Sequence, residues 1–138
     1  EALARVEIFD AAQNPGREVL QQALALNPGF FETVYTGLLR GPRDMAHLEA
    51  VLAAVDDYLD ARAELCFGPV LEFLAGCGGP CGARELGQHF ERQMGVQGVD
   101  LACDWLVERG RLAAVGLPVR LTRNSRPSAD EIAYQRIG

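Results

Sequence analysis

Residues 98–112 read GVDLACDWLVERGRL, and the spacing of the apolar residues changes at the end of this stretch. Up to residue 109 the apolar side chains recur at helical spacing, and Gly110 is a residue type that commonly ends a helix. After Gly110 the pattern alternates, with Val119 and Leu121 on one side of an expected strand. The stretch therefore predicts a helix that leads directly into a strand.

The predicted helix has a wide apolar arc. At about 100° per residue, one side of it is filled by Val99, Ala102, Cys103, Leu106 and Val107. Leu101 and Trp105 extend the arc on its far side, which leaves a narrow row of acids, Asp100, Asp104 and Glu108. Helices that are apolar nearly all round are usually buried on two sides. We therefore expect Leu101 and Trp105 either to complete a core with the first half of the chain or to contact another subunit.

Two more helices are expected upstream and a strand is expected downstream. The segments VLEFLAGC (70–77) and ARELGQHFERQM (83–94) have helical apolar spacing, with Leu86, Phe90 and Met94 on one face of the second. A turn rich in glycine separates them, and Gly95 ends the second helix. EIAYQRI (131–137) has Ile132 and Tyr134 on one face, which is typical of a returning strand.

The order helix, glycine turn, helix, short turn, helix, hairpin resembles the winged helix-turn-helix superfamily over residues 69–137. The most specific piece is LVERGRL (106–112), and the predicted helix of 98–110 occupies the place of the recognition helix. The resemblance implies a mainly α protein, in which a helical N-terminal half is followed by a winged-helix (α+β) domain with a small β-hairpin. We expect a helical extension or dimerisation region at 1–67 and the winged-helix domain at 68–138.

The first half is expected to be helical with short connections. Asn14 and Pro15 predict the start of its second helix, and Asp44 can cap a long helix over 44–66. Gly68-Pro69 is expected to kink or restart that helix. A long helix ahead of a winged helix commonly mediates dimerisation. Its expected interface residues are Leu48, Leu52 and Val55.

The resemblance implies that the third helix enters the major groove of DNA while the wing contacts the backbone. The row of acids on that helix opposes such a role, because it would face a polyanion without a compensating cation. Base reading by this helix is therefore not expected.

The expected wing is basic. Residues 109–127, RGRLAAVGLPVRLTRNSRP, contain five arginines and no acid, in a chain of net charge -6. We expect the donors at its tip to contact phosphate. They are Arg120, Arg123, Asn124 and Arg126. The alternative is that these arginines are solvated on an edge strand, where charge discourages aggregation.

The cysteines and histidines do not predict a catalytic or metal site. Cys77 and Cys81 have the spacing of a zinc knuckle, but Cys66 and Cys103 lie in apolar helical contexts, where cysteine acts as a small hydrophobe. The two histidines have no nucleophile in a recognisable motif, and no phosphate-binding loop is present. We expect no metal, no cofactor and no enzymatic activity.

The composition limits which classes of protein this chain can belong to. The 138 residues contain no run of 18 apolar residues, so no membrane span is expected. The four cysteines are expected to be reduced thiols in the cytoplasm. The chain begins at Glu1, so we expect the natural N-terminus to lie further upstream. Residues 1–76 carry 12 acids and 5 arginines, against 7 acids and 8 arginines in 77–138, which places any nucleic-acid contact in the second half.

These observations predict a non-enzymatic winged-helix binding protein. Its first expected role is a DNA-associated one, in regulation or chromosome maintenance, with phosphate contacts from the wing. The alternative is a protein–protein interaction module or a subunit of a larger complex without direct DNA binding. In either case a homodimer or a partner protein is expected.

Overall fold

A computed structural model describes residues 1–119 and 129–137. The chain divides into two compact units, Glu1–Cys66 (unit 1) and Phe67–Gly138 (unit 2). It is mainly helical and contains a small three-stranded antiparallel sheet. This confirms the mainly α architecture expected from the sequence.

Unit 1 consists of helices joined by short connections. They are α1 (Ala2–Asp10), α2 (Val19–Leu26), α3 (Pro28–Phe31), a π-helical turn (Glu32–Thr36), α4 (Gly37–Arg40) and α5 (Met45–Ala61). Helix α6 (Ala63–Gly76) follows and continues into unit 2. The predicted cap of α5 is confirmed, because the Asp44 carboxylate accepts a hydrogen bond from the His47 backbone N–H at 2.8 Å.

Two predicted helix limits in this region are wrong. Helix α2 begins at Val19 and not at Pro15, because the Gln22 side chain bonds the backbone of Asn14 and Gly16 and so holds this segment outside the helix. The second error concerns the long helix, which ends at Ala61 and not near residue 66.

The break between α5 and α6 lies at Arg62 and not at Gly68-Pro69. Arg62 has a non-helical backbone (φ -118°, ψ 22°), and its guanidinium binds acidic side chains of α1. Pro69 lies inside α6, which therefore loses one backbone hydrogen bond there but continues to Gly76. The helix is thus broken at Arg62, whose side chain binds acids of α1, and not at the local proline signal of Pro69.

The core of unit 1 is built from small and aromatic residues. Ala4, Ala23 and Phe31 are buried together, and the aliphatic side chains of α1 and α2 pack against them. Phe30 stacks on Tyr58 with ring centroids 4.1 Å apart, which fixes α3 against α5.

Unit 2 contains the whole sheet. Its elements after α6 are β1 (Cys81–Gly82), α7 (Ala83–Met94), α8 (Val99–Glu108), β2 (Leu112–Val119) and β3 (Ala129–Arg136). The strand order is β1-β3-β2. The short strand β1 was not predicted; it pairs antiparallel with β3 through Cys81 opposite Tyr134 and Gly82 opposite Ala133.

The core of unit 2 follows the predicted helix faces closely. Leu86 and Phe90 of α7 are buried, as expected, whereas Met94 at the helix end is 57% exposed. The remaining buried members of this core are Val70, Leu71, Leu74, Cys81, Val99, Cys103, Leu106, Leu112 and Tyr134. Both predicted helix stops are confirmed: Gly95 (φ 66°) and Gly110 (φ 68°) have the left-handed conformation that glycine adopts without strain.

Gly41 generates a test of the packing in unit 1. Its backbone N–H bonds the Gly37 carbonyl at 2.8 Å, and a Cβ placed on it would collide with that carbonyl oxygen and with the His47 ring. We expect Gly41→Ala to lower the free energy of unfolding by about 1–3 kcal/mol. Chemical denaturation followed by circular dichroism measures the loss.

Gly29→Ala is the matched control, because a Cβ at Gly29 meets nothing within 4 Å. Its stability should be unchanged or higher by about 0.4–1 kcal/mol. Equal destabilisation by the two variants would contradict the proposed collision.

Candidate functional site

Helix α8 has one face in the core and two rows of side chains outside it. Val99, Cys103 and Leu106 are buried, as the helical period predicts. Ala102 and Val107, expected on the same arc, are only partly buried. The outer rows follow an i, i+4, i+8 spacing, which places their members side by side along the helix.

The first outer row runs Leu101, Trp105, Arg109, and we call it the α8 ridge. Leu101 is 71% exposed. The half-buried Trp105 ring lies 5.2 Å from the Phe67 ring of α6, measured between centroids, and the Arg109 guanidinium lies 5.2 Å from the Trp105 centroid. Trp105 therefore packs on the edge of the core of unit 2, and Leu101 projects beyond it.

The second outer row is the predicted row of acids. Asp100, Asp104 and Glu108 are all exposed, so the row faces outward as expected. The Asp104 carboxylate also accepts a hydrogen bond of 2.7 Å from the hydroxyl of Tyr134 in β3. Burial of Tyr134, and then this bond, raise the pKa of the Tyr134 hydroxyl well above its usual range. Asp104 is thus a structural acceptor as well as a surface charge.

A groove of about 400 Å³ runs between the starts of α7 and α8. Its charged lining is mixed, with Arg84 and Glu91 on α7 and Asp100 on α8. The Gln97 side-chain amide donates to the Glu91 carboxylate at 2.9 Å, which occupies part of the polar lining. This groove does not offer a surface of one sign to a charged ligand.

The described part of the hairpin supports α7. The Glu131 carboxylate of β3 accepts a hydrogen bond of 2.7 Å from the backbone N–H of Arg84, in the first turn of α7. Glu131 therefore acts as an N-terminal cap supplied by a distant strand. The predicted phosphate contacts lie outside the described residues; they are Arg120, Arg123, Asn124 and Arg126.

The predicted interface residues of α5 lie at and beside its exposed surface. Leu52 is 64% exposed and Leu48 is 40% exposed, whereas Val55 is partly buried. The buried side of α5 is formed by Val51 and Tyr58. The exposed leucines are thus available on unit 1.

The cysteines are spread over surface and core. Cys77 is exposed, Cys81 and Cys103 are buried, and Cys66 is partly buried. Burial raises the pKa of the Cys81 and Cys103 thiols to about 12. Within residues 1–119 and 129–137, the structure contains no group of three or more His, Cys, Asp or Glu side chains that could hold a metal ion.

Both histidines have structural contacts. His47 Nε2 lies 3.0 Å from the Gly37 carbonyl oxygen, which ties α5 to the start of α4. The His89 ring packs against Phe73 with centroids 4.2 Å apart. Each histidine thus has a structural contact within its own unit.

Unit 1 contains a buried polar cluster that was not predicted from the sequence. Glu7 of α1 is buried; it accepts a hydrogen bond from the Tyr58 hydroxyl (2.7 Å) and forms an ion pair with Arg62 (3.1 Å). Arg62 also binds Asp10 at 3.1 Å and lies 4.2 Å from the Tyr58 ring centroid. Burial and the bond to Glu7 raise the pKa of the Tyr58 hydroxyl above its usual range. The cluster is satisfied internally and joins α1 to α5.

The sequence contains a local signal for each of the two helices that form this cluster. Tyr58 and Arg62 are four residues apart, which allows them to share a helix face. Glu7 lies between Ala4 and Ile8 on the buried face of α1, where an isolated acid needs a partner. The pairing across 51 residues is a tertiary fact that neither signal specifies.

Among the described residues no helix combines the length and the apolar character needed to cross a membrane.

The Asp104–Tyr134 bond generates a pH prediction. Because the pKa of Tyr134 is raised on folding, the hydroxyl contributes stability that is fully present below the ordinary tyrosine pKa and is lost as the pH rises beyond it. We expect Asp104→Asn to lower the pKa of Tyr134 partway towards its usual value, since burial remains. An alkaline titration of tyrosinate absorbance measures this, with Tyr134→Phe to assign the signal.

Glu108→Gln is the control for the removal of one charge from the same row. It should leave the pKa of Tyr134 unchanged, because Glu108 is not among the groups that raise this pKa. An equal shift in both variants would show a general effect of charge and no specific hydrogen bond.

Comparison with known proteins gives one likeness of fold. No protein-family model matches the chain, and no curated protein is similar to it. A solved structure, the nucleotidyltransferase-like protein from Exiguobacterium sibiricum 255-15, superposes with a TM-score of 0.63 at 15% sequence identity. The match covers 99% of this chain and 45% of that chain, so this chain spans somewhat less than half the length of the protein that it resembles.

Proposed function

We propose that unit 2 is a winged helix-turn-helix that acts by binding. The order α6, β1, α7, α8, β2, β3 supports this, together with the pairing of β1 to β3 at the centre of the sheet. Helices α7 and α8 are joined by a short turn between Gly95 and Gly98, both in the left-handed conformation. In this assignment α8 takes the place of the recognition helix and the β2–β3 hairpin takes the place of the wing.

We propose further that the partner of α8 is a protein. The observation that carries this is the α8 ridge, in which an exposed leucine borders a tryptophan and an arginine. Tryptophan and arginine are enriched among the residues that dominate protein interfaces, especially next to apolar contacts. Leu101, at 71% exposure, would bury its apolar surface against such a partner.

The acid row favours a protein partner over the major groove. Asp100, Asp104 and Glu108 lie beside the ridge on the outer surface of α8. Against DNA they would meet phosphate charge of their own sign, whereas at a protein interface they form a polar rim that a basic partner surface complements. The charges thus disfavour DNA as a partner and favour a protein with a basic surface.

The fold likeness supports a role within a larger assembly. The nucleotidyltransferase-like protein has this architecture in 45% of its length. We propose that the present chain serves as a binding part of a larger protein or complex. The name of the other protein likens it to nucleotidyltransferases, and the proposed role of the α8 ridge does not depend on that likeness.

A second candidate function is contact with nucleic-acid phosphate. The observation that favours it is the basic stretch 109–127, with five arginines and no acid. Such contacts position a protein on a duplex without reading its sequence. This candidate assigns no base contact to α8.

The protein-binding proposal is tested with Leu101→Glu. The chain is used as bait in extracts of the cells that produce it, and recovered proteins are quantified by mass spectrometry. A partner of the ridge should be retained by the wild type and reduced about 30-fold by the variant, which corresponds to the ~2 kcal/mol of an interface hot spot.

Met94→Glu is the matched control, because Met94 is an exposed apolar residue at the end of α7. It should retain the partner, and circular dichroism should show both variants folded. Identical recovery by all three proteins would contradict a role for the ridge.

The nucleic-acid candidate is tested by titration with duplex DNA at several salt concentrations. Contacts by Arg120, Arg123 and Arg126 predict a log–log slope of affinity against salt of about -2.7, since each phosphate contributes about -0.9. Replacement of all three by alanine should remove this slope, whereas Arg92→Ala on α7 should preserve it. Absence of binding at low salt would exclude this candidate.

A further inference from the structure

Two cysteines meet at the junction between α6 and α7 of unit 2. Cys77 is the first residue after α6, and Cys81 begins the two-residue strand β1. Both are free thiols, and the Cys77 side chain interacts directly with the Cys81 thiol. We call this pair the α6–β1 dithiol. The proposed binding function uses neither of the two residues.

The two thiols differ in their access to solvent. Cys77 is exposed, whereas Cys81 is only 3% exposed and pairs through its backbone with Tyr134 of β3. Burial, and then the contact with Cys77, raise the pKa of the Cys81 thiol, and the Glu85 carboxylate adds to this effect. Because the thiolate is the reactive form of cysteine, a reagent from solvent reacts first with Cys77. Cys81 is then placed to react with whatever Cys77 has bound.

The segment between the two thiols can adjust to a bond. Gly78 has a left-handed backbone (φ 67°), which turns the chain back after α6. A Cβ placed on Gly76, Gly78 or Gly79 would meet no other described residue within 4 Å, so the turn is not crowded by its surroundings. Side-chain rotation and this open turn can therefore bring the two sulfur atoms from contact to the bonded distance of about 2.05 Å.

The surroundings of the dithiol favour a disulfide over a bound metal ion. The Glu85 carboxylate also contacts the Cys81 thiol. However, no group of three or more His, Cys, Asp or Glu side chains in the described part of the chain could hold a metal ion. Structural zinc sites almost always use four ligands. A disulfide, in contrast, requires only two thiols that can reach each other.

We propose that the α6–β1 dithiol is a redox-active modification site that reacts with low-molecular-weight disulfides, the chemical class of oxidised glutathione. The Cys77 thiolate attacks one sulfur of the disulfide RS–SR, so that a bond from Cys77 to SR forms and one RS⁻ leaves. The Cys81 thiol then loses its proton, and its thiolate attacks the Cys77 sulfur, so that the internal S–S bond forms and the second RS⁻ leaves. The two protein thiols are thereby oxidised, and the reagent is reduced to two molecules of RSH, which take up the two protons.

The internal bond ties the end of α6 to strand β1. Cys81 lies in the core of unit 2 together with Leu74 of α6 and Leu86 of α7. The bond therefore adds a covalent link at a point where the core already joins both helices. The Cys77 sulfur remains on the exposed side of this link, where an incoming thiol can attack it and release Cys81. The modification is thus reversible by excess thiol.

The experiment exposes the purified, reduced chain to glutathione buffers with an increasing oxidised fraction. The reaction is quenched with acid, the remaining thiols are alkylated in denaturant, and the products are identified by mass spectrometry. We expect the four free thiols to fall to two, with Cys77 and Cys81 linked within one peptide and no glutathione retained. Excess reduced glutathione should restore all four thiols.

Three variants assign the reaction to the dithiol. Cys77→Ser should lower the rate of thiol loss at least about tenfold, because the remaining thiols are buried or partly buried. Cys81→Ala should stop the reaction at a mixed disulfide with one glutathione on Cys77. Cys66→Ser, at a partly buried position in α6, is the control and should still form the internal disulfide. Because Cys77 is exposed, Cys77→Ser tests the proposal even if Cys81→Ala is poorly folded.

Four outcomes would overturn the proposal. The wild type could retain four thiols even in fully oxidised glutathione. Its final product could carry glutathione on Cys77 instead of an internal bond. Cys77 could form its bond with a cysteine other than Cys81 or with a second chain. Finally, Cys77→Ser could lose thiols as fast as the wild type does.

Discussion

The Tyr134 side chain joins strand β3 to helix α8 in unit 2. Its ring is buried in the core, and its hydroxyl donates to Asp104 of α8 at 2.7 Å. Its backbone lies between Cys81 of β1 and Ala114 of β2 in the antiparallel sheet. The position of α8 relative to the sheet therefore depends on this side chain together with the core residues of α8; the Tyr134 ring is held by packing and its hydroxyl by an acid. A buried hydroxyl without that acceptor would cost about 1–3 kcal/mol.

Strand β3 also positions the other helix of the pair. Glu131 lies three residues before Tyr134, so their side chains leave the strand on opposite faces. The Glu131 carboxylate caps the first turn of α7 through the backbone N–H of Arg84. A single strand thus fixes the start of α7 and the middle of α8. This explains why a sheet with only a two-residue first strand is sufficient to organise the unit.

Much of this fold could be predicted from local patterns. The buried face of α8, the caps at Asp44, Gly95 and Gly110, and the pairing of two alternating segments all depend on near neighbours in the sequence. The break at Arg62 and the burial of Glu7 could not be predicted in the same way. Each depends on partners more than 50 residues distant, and such a partner outweighs a local helix signal.

The candidate site was predictable to a similar degree. The helical wheel identified Leu101, Trp105 and the acid row, because all of them follow from spacing within one helix. The acceptor role of Asp104 was hidden, since Tyr134 is 30 residues away. The strand β1 was hidden as well, because two residues next to a glycine turn carry no alternating pattern.

The double role of Asp104 limits which kinds of partner the outer surface of α8 can bind. As a surface charge it opposes contact with phosphate, and as the acceptor for Tyr134 it stabilises the attachment of α8 to the sheet. Replacing it with a cation, as a base-reading helix would favour, would leave the Tyr134 O–H without its acceptor at a part-buried position. Asp104, at the centre of the acid row, is therefore bonded to a residue of the core. Because the unit needs this carboxylate for its own stability, the outer surface of α8 keeps a negative charge there. In the proposed function, the 71% exposed Leu101 of the adjacent α8 ridge is the apolar contact that α8 offers to a partner.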